Sequence, residues 1–485
     1  MNGDGGQASG TSDPQVRPVD EPDSFEGHQL VVVANRLPVA LVDGEWRSSP
    51  GGLVRALLGF LRPTTALWVG WAGTPDDAEA QFSSDGIDVA TVPLTAEQIR
   101  GFYDGISNDA IWPLYHDALR PSTYDVADWR IYVEVNERFA ERTAAVAAQG
   151  AVVWVHDYQL QLVPTMLRKL RPDLRIGFFL HIPFPPQELF MRFPWREEVL
   201  EGLLGADLIG FQRSVAADNF VALAQRLVGA EVVDGGVRTA DGHVARVGAF
   251  PVSIDIDEVA STAHLTATTD AAREIWARLG NPPTVLLGVD RLDYTKGIVE
   301  RLTAFREVLR NRAAHSDVIK RPDLVLLQVA VPSRENVGDY MAQREHVEQL
   351  VGAVNGEFAT LGYPAIHYLH RSLPLDRLIA LYLAADVMVV TPLRDGMNLV
   401  AKEFVAARGG TDGVLVLSEF AGAADEFTQA VIVNPHDPHA LVEALETAIA
   451  MPHAEAAERM GAMHRELLAN DAHHWAASFL HQLVG

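Results

Sequence analysis

The sequence predicts an α/β protein built from two doubly wound, Rossmann-like domains that face each other across a cleft. Three observations support this fold class. The chain has 485 residues, which is more than one ordinary hydrophobic core accommodates. Short β-branched apolar runs alternate with stretches of helical character, a pattern typical of parallel sheets covered by helices on both faces. These runs fall into two sets, separated by a mostly polar stretch at residues 251–283.

The first set of apolar runs predicts strands at 30–34, 152–155, 176–180 and 207–211, and the second at 284–289, 324–331, 386–391 and 414–417. Helices are predicted at 218–228, 299–310 and 376–384. Residues 1–27 are acidic and rich in Gly, Ser and Pro, so we expect a disordered tail there. We place the N-terminal domain at 28–250, the C-terminal domain at 251–465, and a helix that crosses back to the N-terminal domain at 466–485.

Composition excludes several function classes. The formal net charge is −25, which argues against a broad nucleic-acid surface. The chain has no cysteine, so disulfides, thiolate catalysis and cysteine-ligated metal sites are excluded. No apolar run approaches the roughly 18 residues that span a bilayer, and the first residues do not resemble a secretory signal. We therefore expect a cytoplasmic protein without a membrane or nucleic-acid partner.

Polar residues follow the predicted strands of the first half. Arg36 comes directly after the first strand, and the paired glycines Gly51 and Gly52 follow in a turn that lets the backbone approach a phosphate or sugar. Taken alone, these residues are better explained as a surface arginine and a plain turn, because glycine-rich turns are common. Asp157 and His181 end two successive strands, where ligands of doubly wound sheets bind.

In the second half, Arg291 and Lys296 lie between a predicted strand and a helix. The helix dipole disfavours cations at a helix N-terminus, so these residues indicate a bound anion, such as a leaving diphosphate. Further on, Asp395 and Gly396 form a predicted turn, and a helix begins near Asn398. Its first amide groups and Glu403 are suited to phosphate oxygens and ribose hydroxyls.

One acidic motif is a competing interpretation. Asp255, Asp257 and the residues around them fit the D-x-D pattern of metal-dependent glycosyltransferases and of aspartate phosphatases. However, Pro251 interrupts the strand that both motifs require. Asp255 with Glu258 instead indicates a variant capping box at a helix start. We therefore predict no metal site.

Together these segments resemble the trehalose-6-phosphate synthases, which are two-domain retaining glycosyltransferases of the GT-B type. The resemblance covers nearly all of residues 29–485. It is carried by the motifs N-R-L-P, P-G-G-L, I-W-P-L-Y-H, V-H-D-Y-Q-L, F-L-H-I-P-F-P, D-R-L-D-Y-T-K-G, V-A-V-P-S-R and T-P-L-R-D-G-M-N-L-V-A-K-E. Between Lys296 and Arg334 the chain is a few residues longer than expected for this family, which indicates an inserted loop near 313–321.

The resemblance implies a role for each matching residue. Acceptor glucose 6-phosphate would bind mainly in the N-terminal domain, at Arg36, Tyr103, Trp112 and Asp157, with Arg334 of the C-terminal domain also holding its phosphate. The nucleotide-glucose donor would bind mainly in the C-terminal domain, at Gly51, Gly52, His181, Arg291, Lys296, Leu373, Asp395, Gly396, Met397, Asn398, Leu399, Val400, Ala401, Lys402 and Glu403. The residues expected to act in catalysis are Asp157, His181, Arg291 and Lys296.

The resemblance also implies the reaction. Glucose would pass with retention from UDP-glucose, or alternatively from ADP- or GDP-glucose, to glucose 6-phosphate, by a front-face step that needs no cofactor or metal. A homo-oligomer, specifically a tetramer, is expected. Two alternatives stay open: a glycogen-synthase-like enzyme that extends a polymer, and a catalytically silent regulatory subunit that binds sugar phosphates.

Overall fold

The computed structural model describes residues 28–42, 45–48, 54, 57, 66–84, 86–312, 323–333 and 338–485. Residues 1–27, where the sequence predicts a disordered tail, lie outside this part of the chain. So do the predicted inserted loop at 313–321 and three predicted site residues, Gly51, Gly52 and Arg334.

The N-terminal sheet contains ten of the described strands, in the order β10-β11-β12-β9-β8-β7-β1-β4-β6-β5. Neighbouring strands from β12 to β6 pair in parallel, while β5 and the β10–β11 hairpin are antiparallel edges. Chain order reverses between β1 and β7, which makes the carboxyl ends of these two strands the topological switch point. The strands are β1 His28–Arg36, β4 Ala66–Trp71, β5 Gln81–Ser84, β6 Ile87–Thr91, β7 Ala147–His156, β8 Arg175–Phe179, β9 Leu208–Phe211, β10 Glu231–Val233, β11 Gly236–Arg238 and β12 Val244–Ala249. A separate hairpin pairs β2 Val39–Val42 with β3 Glu45–Ser48.

The C-terminal sheet is parallel throughout its described strands, in the order β15-β14-β13-β16-β17-β18. This is the Rossmann strand order, and its switch point lies between β13 and β16. The strands are β13 Thr284–Arg291, β14 Leu324–Val331, β15 Ile366–Leu369, β16 Val387–Val390, β17 Val414–Ser418 and β18 Val431–Val433.

Helices cover both faces of each sheet, and their apolar sides form the cores with the buried strands. In the N-terminal half they are Ala96–Gln98, the π-helical Ile99–Ile111, Trp112–Tyr115, Val126–Val146, Val163–Leu170, Gln187–Phe190, Arg196–Leu203 and Ser214–Val228. In the C-terminal half they are Ile256–His264, Thr266–Arg278, Ile298–Arg312, Gly338–Phe358, Leu375–Ala384, Leu399–Ala407, Pro438–Ala450, His453–Ala469 and Ala472–Val484.

The last helix, Ala472–Val484, packs on the N-terminal sheet. Phe479 stacks on Trp154 of β7 with a ring-centroid distance of 4.7 Å, and Trp475 lies 5.1 Å from the same ring. Glycines make room for it, because a Cβ on Gly177 or Gly210 would overlap the Phe479 ring. The chain end therefore ties the two halves of the molecule together beneath the carboxyl ends of β7 and β8.

The predicted fold class is confirmed, and each predicted strand overlaps an observed one. Several strands were not predicted, among them Ala66–Trp71, Ile87–Thr91 and Ile366–Leu369. They are short, and their runs are interrupted by polar or aromatic residues, so periodicity alone does not separate them from loops. Asp255 caps the helix Ile256–His264 by accepting from the Glu258 amide at 3.0 Å, which supports the capping interpretation of that motif. Within the described residues, no helix is long and apolar enough to cross a bilayer.

Candidate active site

A cavity of about 510 Å³ lies between the two switch points. Its walls come from the carboxyl ends of β1 and β7 on one side and of β13 and β16 on the other. Twelve residues predicted for the site line it: Arg36, Tyr103, Trp112, Asp157, His181, Arg291, Lys296, Asp395, Met397, Asn398, Leu399 and Val400. The fold thus brings together residues that are up to several hundred positions apart in the chain.

One corner of the cavity is cationic. The Arg36 guanidinium lies over the Trp71 ring at 3.9 Å and faces the Tyr103 ring at 5.7 Å, both within the range of cation–π attraction. Its backbone carbonyl accepts from Trp68 Nε1 at 2.9 Å, which fixes the end of β1. Gly73 leaves space for the side chain, because a Cβ there would overlap Nη1 of Arg36. Burial lowers the pKa of Arg36, but an arginine remains charged at neutral pH.

The segment around Trp112 forms the roof of the cavity. Trp112 directly follows the π-helix Ile99–Ile111. The centroid of its ring lies 4.1 Å from that of the His116 ring and 5.3 Å from the Arg291 guanidinium carbon. The His116 Nδ1 is 2.8 Å from the Trp112 carbonyl. Burial lowers the pKa of His116 to about 3, so this ring is neutral at physiological pH.

Asp157 follows β7 in an unusual backbone conformation, with φ at 75°. Two contacts hold it there: its amide donates to the Phe179 carbonyl at 2.8 Å, and its Oδ1 accepts from the His181 amide at 3.1 Å. Burial raises the pKa of Asp157 to about 6, against the lowering effect of backbone amides and of Arg291. A positive φ in a non-glycine residue is uncommon and clusters at ligand sites.

His181 is held by its neighbours on three sides. Its Nε2 lies 3.1 Å from Nδ1 of the buried His156, and its ring lies 4.7 Å from Phe179. Gly396 of the C-terminal domain packs directly on its carbonyl oxygen, where any Cβ would overlap. Burial lowers the pKa of His181 to about 3.

On the C-terminal side, Lys296 Nζ and Asp395 Oδ2 form an ion pair at 2.7 Å. Asn398 Nδ2 donates to the same carboxylate oxygen at 3.1 Å, while its Oδ1 caps the helix Leu399–Ala407 through the Ala401 amide at 3.1 Å. Burial raises the pKa of Asp395, but Lys296 and its other neighbours bring it below the ordinary value. The sequence predicted an anion beside Lys296, and the Asp395 carboxylate of the protein itself is one such anion.

Five predicted donor residues do not line this cavity. Lys402 is fully buried and donates to Glu426 at 2.8 Å and to the Val252 carbonyl at 3.0 Å, so its ammonium group is already paired within the protein. Glu403 accepts from Tyr382 at 2.7 Å. Gly396 lies against the backbone of His181, Ala401 is buried, and Leu373 packs against the core.

Contacts across the seam hold the two domains together around the cavity. Arg394 and Asp117 approach to 3.3 Å, and Arg213 forms a two-pronged pair with Asp425 at 2.7 Å. The Arg120 guanidinium lies 5.5 Å from the Tyr294 ring. These contacts join residues of the N-terminal half to residues of the C-terminal half, so they help to fix the relative position of the two cavity walls.

Several cavity residues were missed at the level of sequence. His116, His156, Trp68 and Gln212 line the cavity but were not assigned a role. His116 and His156 belong to motifs recognised for other residues, and a lone histidine at a strand end is more often structural. Among the described residues, no group of three or more His, Asp and Glu side chains is arranged to hold a metal ion.

Comparison with known proteins identifies the family. The family model described as glycosyltransferase family 20 matches residues 28–484. The chain belongs to glycosyltransferase family 20. The trehalose-6-phosphate synthase of Mycolicibacterium smegmatis is 53% identical to this family 20 chain over 468 residues, covering 94% of this chain and 92% of the relative.

Solved structures of family relatives have the same fold. A UDP-forming α,α-trehalose-phosphate synthase from Burkholderia xenovorans superimposes with a TM-score of 0.86 at 36% identity, covering 94% of this chain and 99% of that one. A second structure from that organism, in complex with glucose 6-phosphate, gives a TM-score of 0.86 at 35% identity and covers 94% and 100% of the two chains. These neighbours confirm the two-domain architecture of this family 20 glycosyltransferase.

Proposed function

We propose that this glycosyltransferase transfers glucose from UDP-glucose to glucose 6-phosphate, with retention, to form α,α-trehalose 6-phosphate. The observation that carries the proposal is the cavity itself. It joins the Arg36–Tyr103 corner of one domain to the Arg291–Lys296 corner of the other. One cavity with a cationic group at each end suits two anionic sugars, with the acceptor hydroxyl meeting the anomeric carbon of the donor between them.

The acceptor end is suited to a phosphate. Arg36 can pair with phosphate oxygens, and Tyr103 can donate its hydroxyl, since charge-assisted hydrogen bonds to phosphate are strong. Asp157 and Trp112 line the same cavity close to Arg291, where they can contact the sugar ring. An enzyme extending a neutral polymer has no need of a cationic acceptor corner, which favours the phosphorylated acceptor.

The donor end is suited to a leaving diphosphate. Arg291 and Lys296 lie where two cations offset the charge that develops as the diphosphate departs. Asp395 keeps Lys296 in place and can accept from hydroxyls of the donor sugar. Because Arg291, Lys296 and Glu403 are all present, a silent regulatory subunit is the weaker alternative.

Retention would follow from a front-face step in which the acceptor hydroxyl attacks from the side on which the diphosphate leaves. Closure of the two domains on both sugars would exclude water and so limit hydrolysis of the donor. The proposed step uses no metal or cofactor. UDP is favoured as the leaving nucleotide because a 36% identical relative is UDP-forming. A cytoplasmic location and a homo-oligomer stay predictions from the sequence.

A substrate panel tests the proposal. Purified protein is mixed with UDP-, ADP- or GDP-glucose and with either glucose 6-phosphate or glucose. Release of the nucleoside diphosphate is timed, and the product is examined by mass spectrometry and by the anomeric couplings in its NMR spectrum. We expect α,α-trehalose 6-phosphate, fastest with UDP-glucose. A polymeric product, an inverted anomer, or no product with any nucleotide-glucose would overturn the proposal.

A further inference from the structure

Two histidines, the buried His156 and the partly buried His181, meet at the cavity. His156 is the last residue of β7 and has 0% of its surface exposed. Its Nδ1 lies 3.1 Å from Nε2 of His181, and the two ring planes are inclined by 22° with their centroids 5.3 Å apart, so the rings meet edge to edge. Burial places the pKa values of both rings far below neutrality, so at neutral pH each ring carries a single proton.

The contact requires one ring to donate and the other to accept. The second nitrogen of His156, Nε2, is buried and has no partner among the described residues. If His156 Nδ1–H donates, the atom left without a partner is a bare lone pair. If His181 donates instead, the atom left without a partner is a buried N–H. Orphaned buried N–H groups are the rarer case in proteins, so the first arrangement is favoured.

This arrangement determines the tautomer of His181. With Nε2 accepting from His156, the His181 proton lies on Nδ1. The rest of His181 is already fixed, since its amide donates to Asp157 and its carbonyl is covered by Gly396. Nδ1–H is then the free donor that the ring offers to a ligand in the cavity it lines.

Two tryptophan rings pack against the His156–His181 pair. The Trp154 ring lies 4.7 Å from His156, and Trp475 of the last helix lies 6.1 Å from His181. Rings packed on one side restrict the rotation of both imidazoles. The pair is therefore constrained in orientation as well as in protonation.

We propose that His156 is a positioning residue for the donor site: its Nδ1–H donates to His181 Nε2, and this holds His181 in the tautomer that donates Nδ1–H to an oxygen of the nucleotide-sugar. The inference rests on the proposed function, in which His181 contacts the donor. His156 itself acts only through His181. A ring that merely filled space would be replaceable by any side chain of similar size.

Two variants separate positioning from packing. In His156→Asn the side-chain amide can donate from about the place of Nδ1, whereas His156→Leu fills similar space without a donor. We expect His156→Leu to lower kcat/KM for UDP-glucose about five- to tenfold, the effect of one lost neutral hydrogen bond, with KM for glucose 6-phosphate unchanged. His156→Asn should stay within about threefold of wild type.

The tautomer of His181 can be measured by NMR, independently of the turnover rate. In protein labelled with ¹⁵N-histidine, the ring nitrogen shifts of His181 report which nitrogen carries the proton. We expect protonation at Nδ1 in wild type and in His156→Asn, and a mixture of tautomers in His156→Leu. This result holds even if the substrate panel refutes the proposed reaction, so failure of one is distinguishable from failure of the other.

Three outcomes would overturn the inference. One is a wild-type spectrum with His181 protonated at Nε2. Another is a folded His156→Leu variant with wild-type donor kinetics. The third is an equal loss for donor and acceptor in both variants, which indicates a packing role. If His156→Leu does not fold, the wild-type spectrum and the kinetics of His156→Asn still decide the matter.

Discussion

Replacing Asp157 by asparagine should make the protein more stable at alkaline pH while impairing acceptor use. Burial raises the pKa of Asp157 from an ordinary 3.8 to about 6 in the folded protein. Because the pKa of this carboxyl is higher in the folded than in the unfolded protein, the folded protein binds its proton more tightly. The resulting stabilisation is fully present below about pH 4 and is lost as the pH rises through about 6. A shift of roughly two pKa units corresponds to at most about 3 kcal/mol of cost for the ionised form at pH 8.

An asparagine side chain cannot ionise, so the variant avoids that cost. At pH 8 the free energy of unfolding of Asp157→Asn should be about 1–3 kcal/mol larger than that of wild type. The difference between the two proteins should shrink towards pH 5. The measurement is urea unfolding at both pH values and constant ionic strength. Acceptor kcat/KM should fall in the same variant, since the carboxylate that accepts from the sugar is gone.

A matched control is Asp395→Asn. Lys296 brings the pKa of Asp395 below its ordinary value, despite the opposing effect of burial. Removing this carboxylate leaves a buried ammonium without its partner, so the control should be less stable than wild type at pH 8. If Asp157→Asn is destabilised at pH 8 as much as at pH 5, the reasoning from a desolvated carboxylate is wrong.

Three further variants test other parts of the site. Arg291→Ala should lower turnover by roughly two or more orders of magnitude, as expected for loss of a transition-state charge contact. Unchanged turnover in a folded variant would show that Arg291 takes no part in the mechanism. Gly73→Ala should displace the Arg36 side chain and strain the backbone at a φ of 111°, and so raise KM for glucose 6-phosphate with little effect on KM for UDP-glucose; equal changes in both would contradict a local effect on Arg36. Arg394→Leu breaks a partly exposed pair with Asp117, so the free energy of unfolding should change by only about 0.2–1 kcal/mol, and a larger loss by urea titration would show that the seam is stronger than its geometry indicates.

The two-domain α/β architecture was predictable because it depends on the apolar runs that form the strands and on their spacing along the chain. Strand-end residues such as Asp157 and Arg291 were assigned to a cleft because parallel strands of a doubly wound sheet place their carboxyl ends together. The predicted helix start at Asn398 also agrees with the structure, since asparagine is a favoured cap.

Contacts between distant segments were not predictable. Lys296 and Asp395 are 99 positions apart, and nothing in either motif indicates that they pair. Lys402 belongs to a helix whose start was identified, but the motif does not show which face of that helix meets Glu426. The partnership of His156 with His181 depends on the register of neighbouring strands, which a single sequence does not specify.

The central claim is that the Arg36 corner recognises the phosphate of the acceptor. The most direct test is the ratio of kcat/KM for glucose 6-phosphate to that for glucose, measured in wild type and in Arg36→Ala at saturating UDP-glucose. Loss of a charge-assisted contact of about 1.5–3 kcal/mol predicts a ratio lowered roughly 10- to 150-fold, with the rate on glucose unchanged. An Arg36→Ala enzyme that keeps the wild-type ratio would contradict the assignment of the acceptor site.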